Sequence, residues 1–352
     1  MREKVEGMAR AAARRAAMLL AVGLAMGPLA TPSLAAVASA RPVHTFSIVA
    51  RDARTGEMGV AVQSHWFSVG VHVPWAEAGV GAVATQSFVD PSYGPLGLDL
   101  MRAGKSAEQA LAGLLAADAK ADVRQVAMVD AHGHVAVHTG ARCIVAAGHH
   151  VGDGYSAQAN LMRRDTVWDA MARAYETAPG DLVERLLAAL EAAEKEGGDI
   201  RGRQSAAILV VRGTPTGRPW EDRLVDLRVE DHPDPVAELR RLVHLHRAYR
   251  HMDAGDLAME KNDVQAASNE YGAAEAMAPE NAEMLFWHAV TMAAAGQVEA
   301  ARPLLGRAYA MDPNWRTLVE RLPRAGLLPD DPRLVEQLMG IAPQAPGGAK
   351  KR

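Results

Sequence analysis

The alternation of apolar and polar residues first becomes regular at Thr45. Thr45–Ala50 (TFSIVA) and Met58–Ser64 (MGVAVQS) are rich in β-branched residues. Arg51–Glu57 separates them with the turn formers Asp52, Thr55 and Gly56, so the pattern predicts a hairpin. Val69–Pro74 and Val80–Gln86 repeat the period-two texture, giving four strands before any helix signal. Asp90–Pro95 reads as a turn cluster. Ser106 with Gln109 forms a capping box, opening a helix with Ala110, Leu111, Leu114 and Leu115 on one side. Arg124–Asp130 and Val135–Thr139 predict a second hairpin around Ala131–His134. Asp165–Thr177 carries Val167, Trp168, Met171 and Tyr175 at helical spacing, and Asp181 with Glu184 caps a helix that stops at Gly197-Gly198. Strands follow at Ser205–Val211 and Leu224–Val229. This order suits two antiparallel sheets between helical layers, an α+β architecture.

The pattern changes at Asp231–Pro235, where Asp234 can cap and Pro235 suits a first helical turn. Beyond Val236 the chain is helical and carries a 34-residue period. Gly255, Ala267, Tyr271, Ala274 and Pro279 recur as Ala289, Ala301, Leu305, Ala308 and Pro313. Small residues at these positions let paired helices approach closely. Two such units resemble a tetratricopeptide array, with Val236–Tyr249 and Pro332–Met339 as flanking helices.

The N-terminal pattern is of another kind. Arg2, Lys4, Arg10, Arg14 and Arg15 precede the apolar run Ala16–Ala30, and small-residue sites follow at Ala36-Val37-Ala38 and Ala38-Ser39-Ala40. That is the layout of a cleaved export signal, with a run too short and too broken by Gly and Pro to span a bilayer. The twin Arg14-Arg15 lacks the flanking residues of a Tat signal, so Sec export is expected, to the periplasm or outside the cell. The expected organisation is a signal peptide over 1–40, a first domain over 41–245, helical repeats over 246–340 and a disordered tail over 341–352.

Composition adds exclusions. Of the net charge of −4 over 352 residues, residues 1–40 contribute five basic and two acidic groups, so the remainder carries −7. Without a basic tract, nucleic acid is a poor partner. Cys143 is the single cysteine, which excludes an intrachain disulfide, and it reads as a buried structural thiol. His132, His134, His138, His149 and His150 invite a metal reading, but no Cys or carboxylate completes a ligand spacing and they read as surface histidines. No cofactor or metal is implied, and homo-oligomerisation stays open.

Several ordered segments carry a resemblance: TFSIVARD at Thr45–Asp52, GVAVQS at Gly59–Ser64, VPWAEAGVGAVATQ at Val73–Gln86, PSYGPLGLDLMRAG at Pro91–Gly104, GRQSAA at Gly202–Ala207 and DLRVEDHPDPVAELRRL at Asp226–Leu242. The chain over residues 45–245 resembles the family called domain of unknown function 1028, a branch of the N-terminal-nucleophile (Ntn) hydrolases. The resemblance implies an αββα Ntn fold but no substrate. In that fold the first residue of the processed chain is nucleophile and, through its own α-amine, general base. An α-amine with a pKa near 7.7–8.0 can take the proton of a Thr hydroxyl directly or through one water.

By this resemblance the nucleophile maps to Thr45. Ser64, Gln86, Tyr93, Arg203 and Gln204, polar residues of the matching motifs, become candidates for lining the site, orienting substrate or holding an oxyanion. Asp153 and Asn160 in Gly152–Asn160 are candidates for an active-site loop, although Ala159 stands where the family pattern would have Gly. One departure matters: Arg41-Pro42-Val43-His44 would precede Thr45 even after the latest signal cleavage, so Thr45 needs a second cleavage to gain a free amine. The expected function is therefore hydrolysis of an amide bond in a small molecule or peptide. The competing expectation is an inert Ntn-like scaffold whose helical repeats recruit a protein partner.

Overall fold

The structure, a computed structural model, describes residues 45–344. The expected signal peptide, the residues just before Thr45 and the tail from 345 onward lie outside the described residues.

Among the described residues, ten strands form two antiparallel sheets. The larger orders β10 (Arg223–Val229), β9 (Ser205–Val211), β2 (Met58–Ser64), β1 (Thr45–Arg51), β8 (Tyr155–Ala159) and β7 (Gly148–Gly152). The smaller orders β3 (Pro74–Glu77), β4 (Gly81–Ser87), β5 (Arg124–Asp130) and β6 (Val135–Thr139). Both hairpins read from the sequence are present, β1–β2 and β5–β6.

Side chains alternate across each strand, and this divides the core into layers. Phe46, Ile48 and Ala50 of β1 face α3 (Val167–Thr177), α4 (Leu182–Glu196) and the first half of α6 (Pro235–Glu260). Val49, Val60, Val62, Ala82, Ala84, Ala127 and Val129 fill the space between the two sheets. Val83, Val126 and Met128 face α1 (Tyr93–Arg102) and α2 (Ala107–Ala117) on the far side of the smaller sheet. The caps expected at Ser106, Asp181 and Asp234 all form, and Ser106 with Gln109 closes the full capping box.

Three sequence expectations fail locally. Val69–Pro74 is not a strand: Ser68 takes a left-handed conformation at φ 57° and Val69–Val71 is a 3-10 turn. Gly70 there sits so close to Ala207 and Arg228 that a Cβ would meet them at 2.8–3.0 Å. The strand begins only at Pro74. Asp90–Pro95 is not all turn, because α1 starts at Tyr93. Pro95 falls in its first turn, where no helical hydrogen bond is lost. Finally, Gly152–Asn160 is not a loop: Gly152-Asp153-Gly154 turn between β7 and β8, and Asn160 directly follows β8.

A region of six helices ends the described residues: α6, α7 (Val264–Met277), α8 (Ala282–Ala294), α9 (Val298–Met311), α10 (Asn314–Val319) and α11 (Pro332–Met339). The four-residue Pro219–Asp222 is α5. Helix α6 runs 26 residues without a break across residue 245. Its Val236, Leu239 and Val243 belong to the sheet-packed core, whereas Ala248 and Met252 pack with Ala267, Tyr271 and Ala274 of α7. Gly255 is required by proximity there: a Cβ would lie 2.5 Å from the Tyr271 ring. No helix of the described residues is long and apolar enough to cross a membrane.

Candidate functional site

The space between the sheets is apolar at one end and polar at the other. Along β1 the inward positions run Val49, Ser47, Thr45, and β2 ends its inward row with Ser64. On β4 and β5 the inward alanines and Val129 give way to Gln86 and Gln125. On β8 and just past it lie Ser156, Gln158 and Asn160. All of these residues are buried. Alternation places them there: they end the apolar inward rows of β1, β2, β4 and β5, while the inward row of β8 is polar throughout.

A transverse row marks the end of the larger sheet. Ser205 pairs with Ser64, Ser64 pairs with Thr45, and the Asn160 amide donates to the Thr45 carbonyl at 3.1 Å. The Thr45 hydroxyl donates to Ser64 Oγ at 3.2 Å. Ser205 Oγ donates to the Trp66 carbonyl and accepts from the Val69 amide at 3.1 Å, which anchors the 3-10 turn.

Behind this row four carboxamides interlock without any charged group. Gln86 Nε2 donates to the Thr45 carbonyl at 3.2 Å and to Gln125 Oε1 at 2.7 Å, while its Oε1 accepts from Ser47 Oγ at 2.6 Å. Asn160 Nδ2 donates to Gln125 Oε1 at 2.9 Å and reaches the Thr45 carbonyl at 3.5 Å. Gln158 Nε2 donates to Ser47 Oγ at 2.7 Å and its Oε1 accepts from Ser156 Oγ at 3.0 Å. Gln125 Nε2 donates to Thr139 Oγ1 at 2.9 Å and to the carbonyls of Ala159 at 2.9 Å and Gly148 at 3.2 Å. A buried polar network satisfied in this way is rigid, since each lost partner leaves a desolvated group.

Thr45, Ser64, Gln86 and Asn160 are therefore brought together. The other candidates are not. Tyr93 opens α1 and packs in the cluster on the far side of the smaller sheet, donates to Asp118 Oδ2 at 3.1 Å, and its phenol is pushed well above its ordinary range by burial and by that carboxylate. Arg203 is exposed and pairs with Glu194 and, at 3.3 Å, with Asp234 at the head of α6. Its carbonyl oxygen lies 3.3 Å from His65 Nδ1, one residue beyond Ser64. Gln204 accepts the His232 amide through its backbone at 2.8 Å. Asp153 stays in the β7–β8 turn.

Ser47, Gln125, Gln158 and Asp199 were not singled out by sequence. Asp199, buried, accepts the His65 amide at 3.2 Å and Arg201 Nη2 at 2.7 Å, tying the end of β2 to the 199–203 loop. The signal for the glutamines was legible in principle: a lone amide at an inward position of a strand. The histidines behave differently. His134 Nδ1 lies 2.9 Å from Asp130 Oδ2, and the Asp130 carboxylate also accepts the amides of Ala107, His132 and His134. Glu108 joins this group with ligand atoms within 4.8 Å. Those four contacts bind the β5–β6 turn to α2 and leave the carboxylate with little capacity for a further partner.

Residues 45–239 match the family of unknown function DUF1028. The chain belongs to this family. A crystal structure of a DUF1028 protein from Silicibacter pomeroyi is similar to it, at 31% identity and a TM-score of 0.51. The similarity covers 57% of this chain and 88% of that one. No curated protein matches the chain. Within this DUF1028 protein the matched segment takes in all ten strands and the interlocked amides, and it ends inside α6.

Proposed function

We propose that this DUF1028 protein is an exported Ntn-type amidohydrolase whose nucleophile is Thr45. The observation that carries the reading is the position of Thr45: it opens a central strand of the larger sheet and faces the smaller one, with its hydroxyl on Ser64 and its carbonyl held by Asn160 and Gln86. Helices flank the paired sheets in the order that an αββα Ntn fold requires. Cleavage of the His44–Thr45 bond would give Thr45 a free amine. That amine then takes the proton from Oγ1 as the oxygen attacks the carbonyl carbon of a substrate amide. The tetrahedral adduct collapses by breaking its C–N bond, the leaving amine carries off the proton, and the acyl-Thr45 ester is hydrolysed by water. The substrate is a small molecule or peptide of the cell envelope, and no cofactor enters the step.

The test begins with intact mass of the protein from its native host. Molecules starting at Thr45 are expected, after loss of the leader and of Arg41–His44. A β-lactone probe should acylate them, Thr45→Ser should retain labelling, and Thr45→Ala should abolish it because the attacking oxygen is gone. Full-length chain confined to the cytosol, or equal labelling of the Ala variant, would sink the proposal.

A second reading has its own observation. A groove of about 740 Å³ in the helical region is lined by Met259, Tyr271, Trp287 and Leu327 with the acidic Asp256 and Glu260. If the helices form a tetratricopeptide-like array, this groove would receive a partner peptide and the first domain would be inert. Native protein that keeps residues 41–44 and resists the lactone would favour it.

A further inference from the structure

We infer that the groove of the helical region is a binding site for a peptide segment carrying lysine or arginine side chains among apolar ones. The inference needs neither a free Thr45 amine nor an inert first domain, because every lining residue lies between 256 and 329. Two helix ends and a loop build most of the groove: the end of α6 with Asp256 and Glu260, the end of α8 with Trp287 and Ala294, and residues 326–329 after α10. Tyr271 of α7 joins the lining.

The electrostatics of this groove run one way. Asp256 and Glu260 stand one helical turn apart on α6, and no lysine, arginine or histidine lines the groove among the described residues. Neither carboxylate is in an ion pair among those residues. Asp256 accepts the Tyr271 phenol at 2.5 Å, a neutral donor that burial and this carboxylate keep protonated. Glu275, one turn beyond Tyr271 and outside the groove, is by contrast neutralised by Arg307 at 3.0 Å. Glu260 also ends α6 and Ala294 ends α8, and neither helix has a basic residue in its last turn. Lys261, the cap of α6, is exposed and outside the lining. The negative ends of two helix dipoles therefore add to the two carboxylates, a combination that favours an arriving cation.

The walls select what that cation is attached to. Trp287 packs at the margin of both apolar clusters of the helical region, and Leu327 is half exposed. Lysine and arginine lay their aliphatic stems along such a surface while the charged head reaches the rim. The volume of about 740 Å³ suits a ligand larger than one side chain, so apolar neighbours in the same peptide enter beside the stem. An acidic segment, a phosphate or a nucleic acid would meet two carboxylates and no cation.

The test applies the full chain to an array of random octapeptides. Bound sequences should be enriched in lysine or arginine next to aliphatic or aromatic residues. The strongest of them, measured by calorimetry, should bind about tenfold more weakly to the double variant Asp256→Asn, Glu260→Gln, the loss expected for two rim ion pairs. That variant keeps an acceptor for the Tyr271 phenol, and added salt should weaken binding to the native protein more than to it. Should the double variant not fold, Glu260→Gln alone decides by the same readout. Leu327→Ser should weaken binding at every salt concentration. Asp253→Asn, on the same helix and exposed but outside the groove, is the control and should bind like the native protein. Equal loss in Asp253→Asn would reduce the effect to net charge and overturn the site. Enrichment in acidic peptides, or none at all, would overturn it too. So would a native dimer that the double variant dissociates, because a second copy would then fill the groove.

Discussion

At the scale of single residues, burial rather than residue type separates the groups that hold the polar end from those that only border it. Thr45, Ser64, Gln86 and Asn160 are buried and interlocked, whereas Arg203, which has the same motif-level appearance, is an exposed partner of Glu194. Glu194 itself is unusual. Its Oε1 is buried without a hydrogen-bond partner, and burial raises its pKa despite the neighbouring Arg203. A carboxyl whose folded pKa is raised is destabilising in its charged form, above the unfolded value of 4.5, and that penalty fades as pH falls and both states protonate. Glu194→Gln is therefore expected to raise the melting temperature at pH 7 and to lose that advantage below about pH 4. A variant less stable than the native protein at pH 7 would show that the Arg203 pairing outweighs burial. Gln63, also buried with neither amide atom partnered, was not foreseen and has no assigned part in the site.

At the scale of elements, small residues explain both what was legible and what was not. Helix α1 was hidden in the sequence because Tyr93-Gly94-Pro95 and Gly97 read as turn formers. In the fold, Gly94 lies where a Cβ would meet the Trp75 ring at 2.3 Å, and at Gly97 a Cβ would meet the Met128 side chain at 2.8 Å. The glycines serve helix–sheet approach, a demand that only tertiary contact reveals. Gly94→Ala should cost about 1–3 kcal/mol, the usual penalty of overpacking. Gly113, exposed in α2 with nothing within 4 Å of its Cβ position, is the control: Gly113→Ala should stabilise by about 0.5–1 kcal/mol. Thermal denaturation of the two variants reads both, and opposite signs are the expected outcome. Strand β8 was missed for a related reason. Its Ser156 and Gln158 alternate with Tyr155, Ala157 and Ala159, but the polar members are buried between sheets rather than exposed, so the pattern imitated a surface turn.

At the scale of the whole molecule, α6 is the shared element. Its first half seals the helix side of the larger sheet, with Arg240 and Arg247 paired to Glu184 at 2.9 and 2.5 Å, and its second half begins the helical region. A fragment covering residues 41–247 keeps Val236, Leu239 and Val243 and both arginines. It is expected to melt cooperatively in a calorimeter. Aggregation of that fragment, rescued by extending it to residue 260, would show that the second half of α6 is needed to complete the first domain.

Local rules in the sequence were enough for the hairpins at β1–β2 and β5–β6, the caps at Ser106, Asp181 and Asp234, and the family. Each depends on neighbours within a few residues or on ordered motifs, which a linear reading contains. The polar end of the inter-sheet layer could not be read this way. Gln125 is 39 residues from Gln86 and 35 from Asn160, so its inward position in the strand can be read locally but its partners cannot. Only when the two sheets close does desolvation force those amides to find one another and bring Gln86 Nε2 to the carbonyl of Thr45.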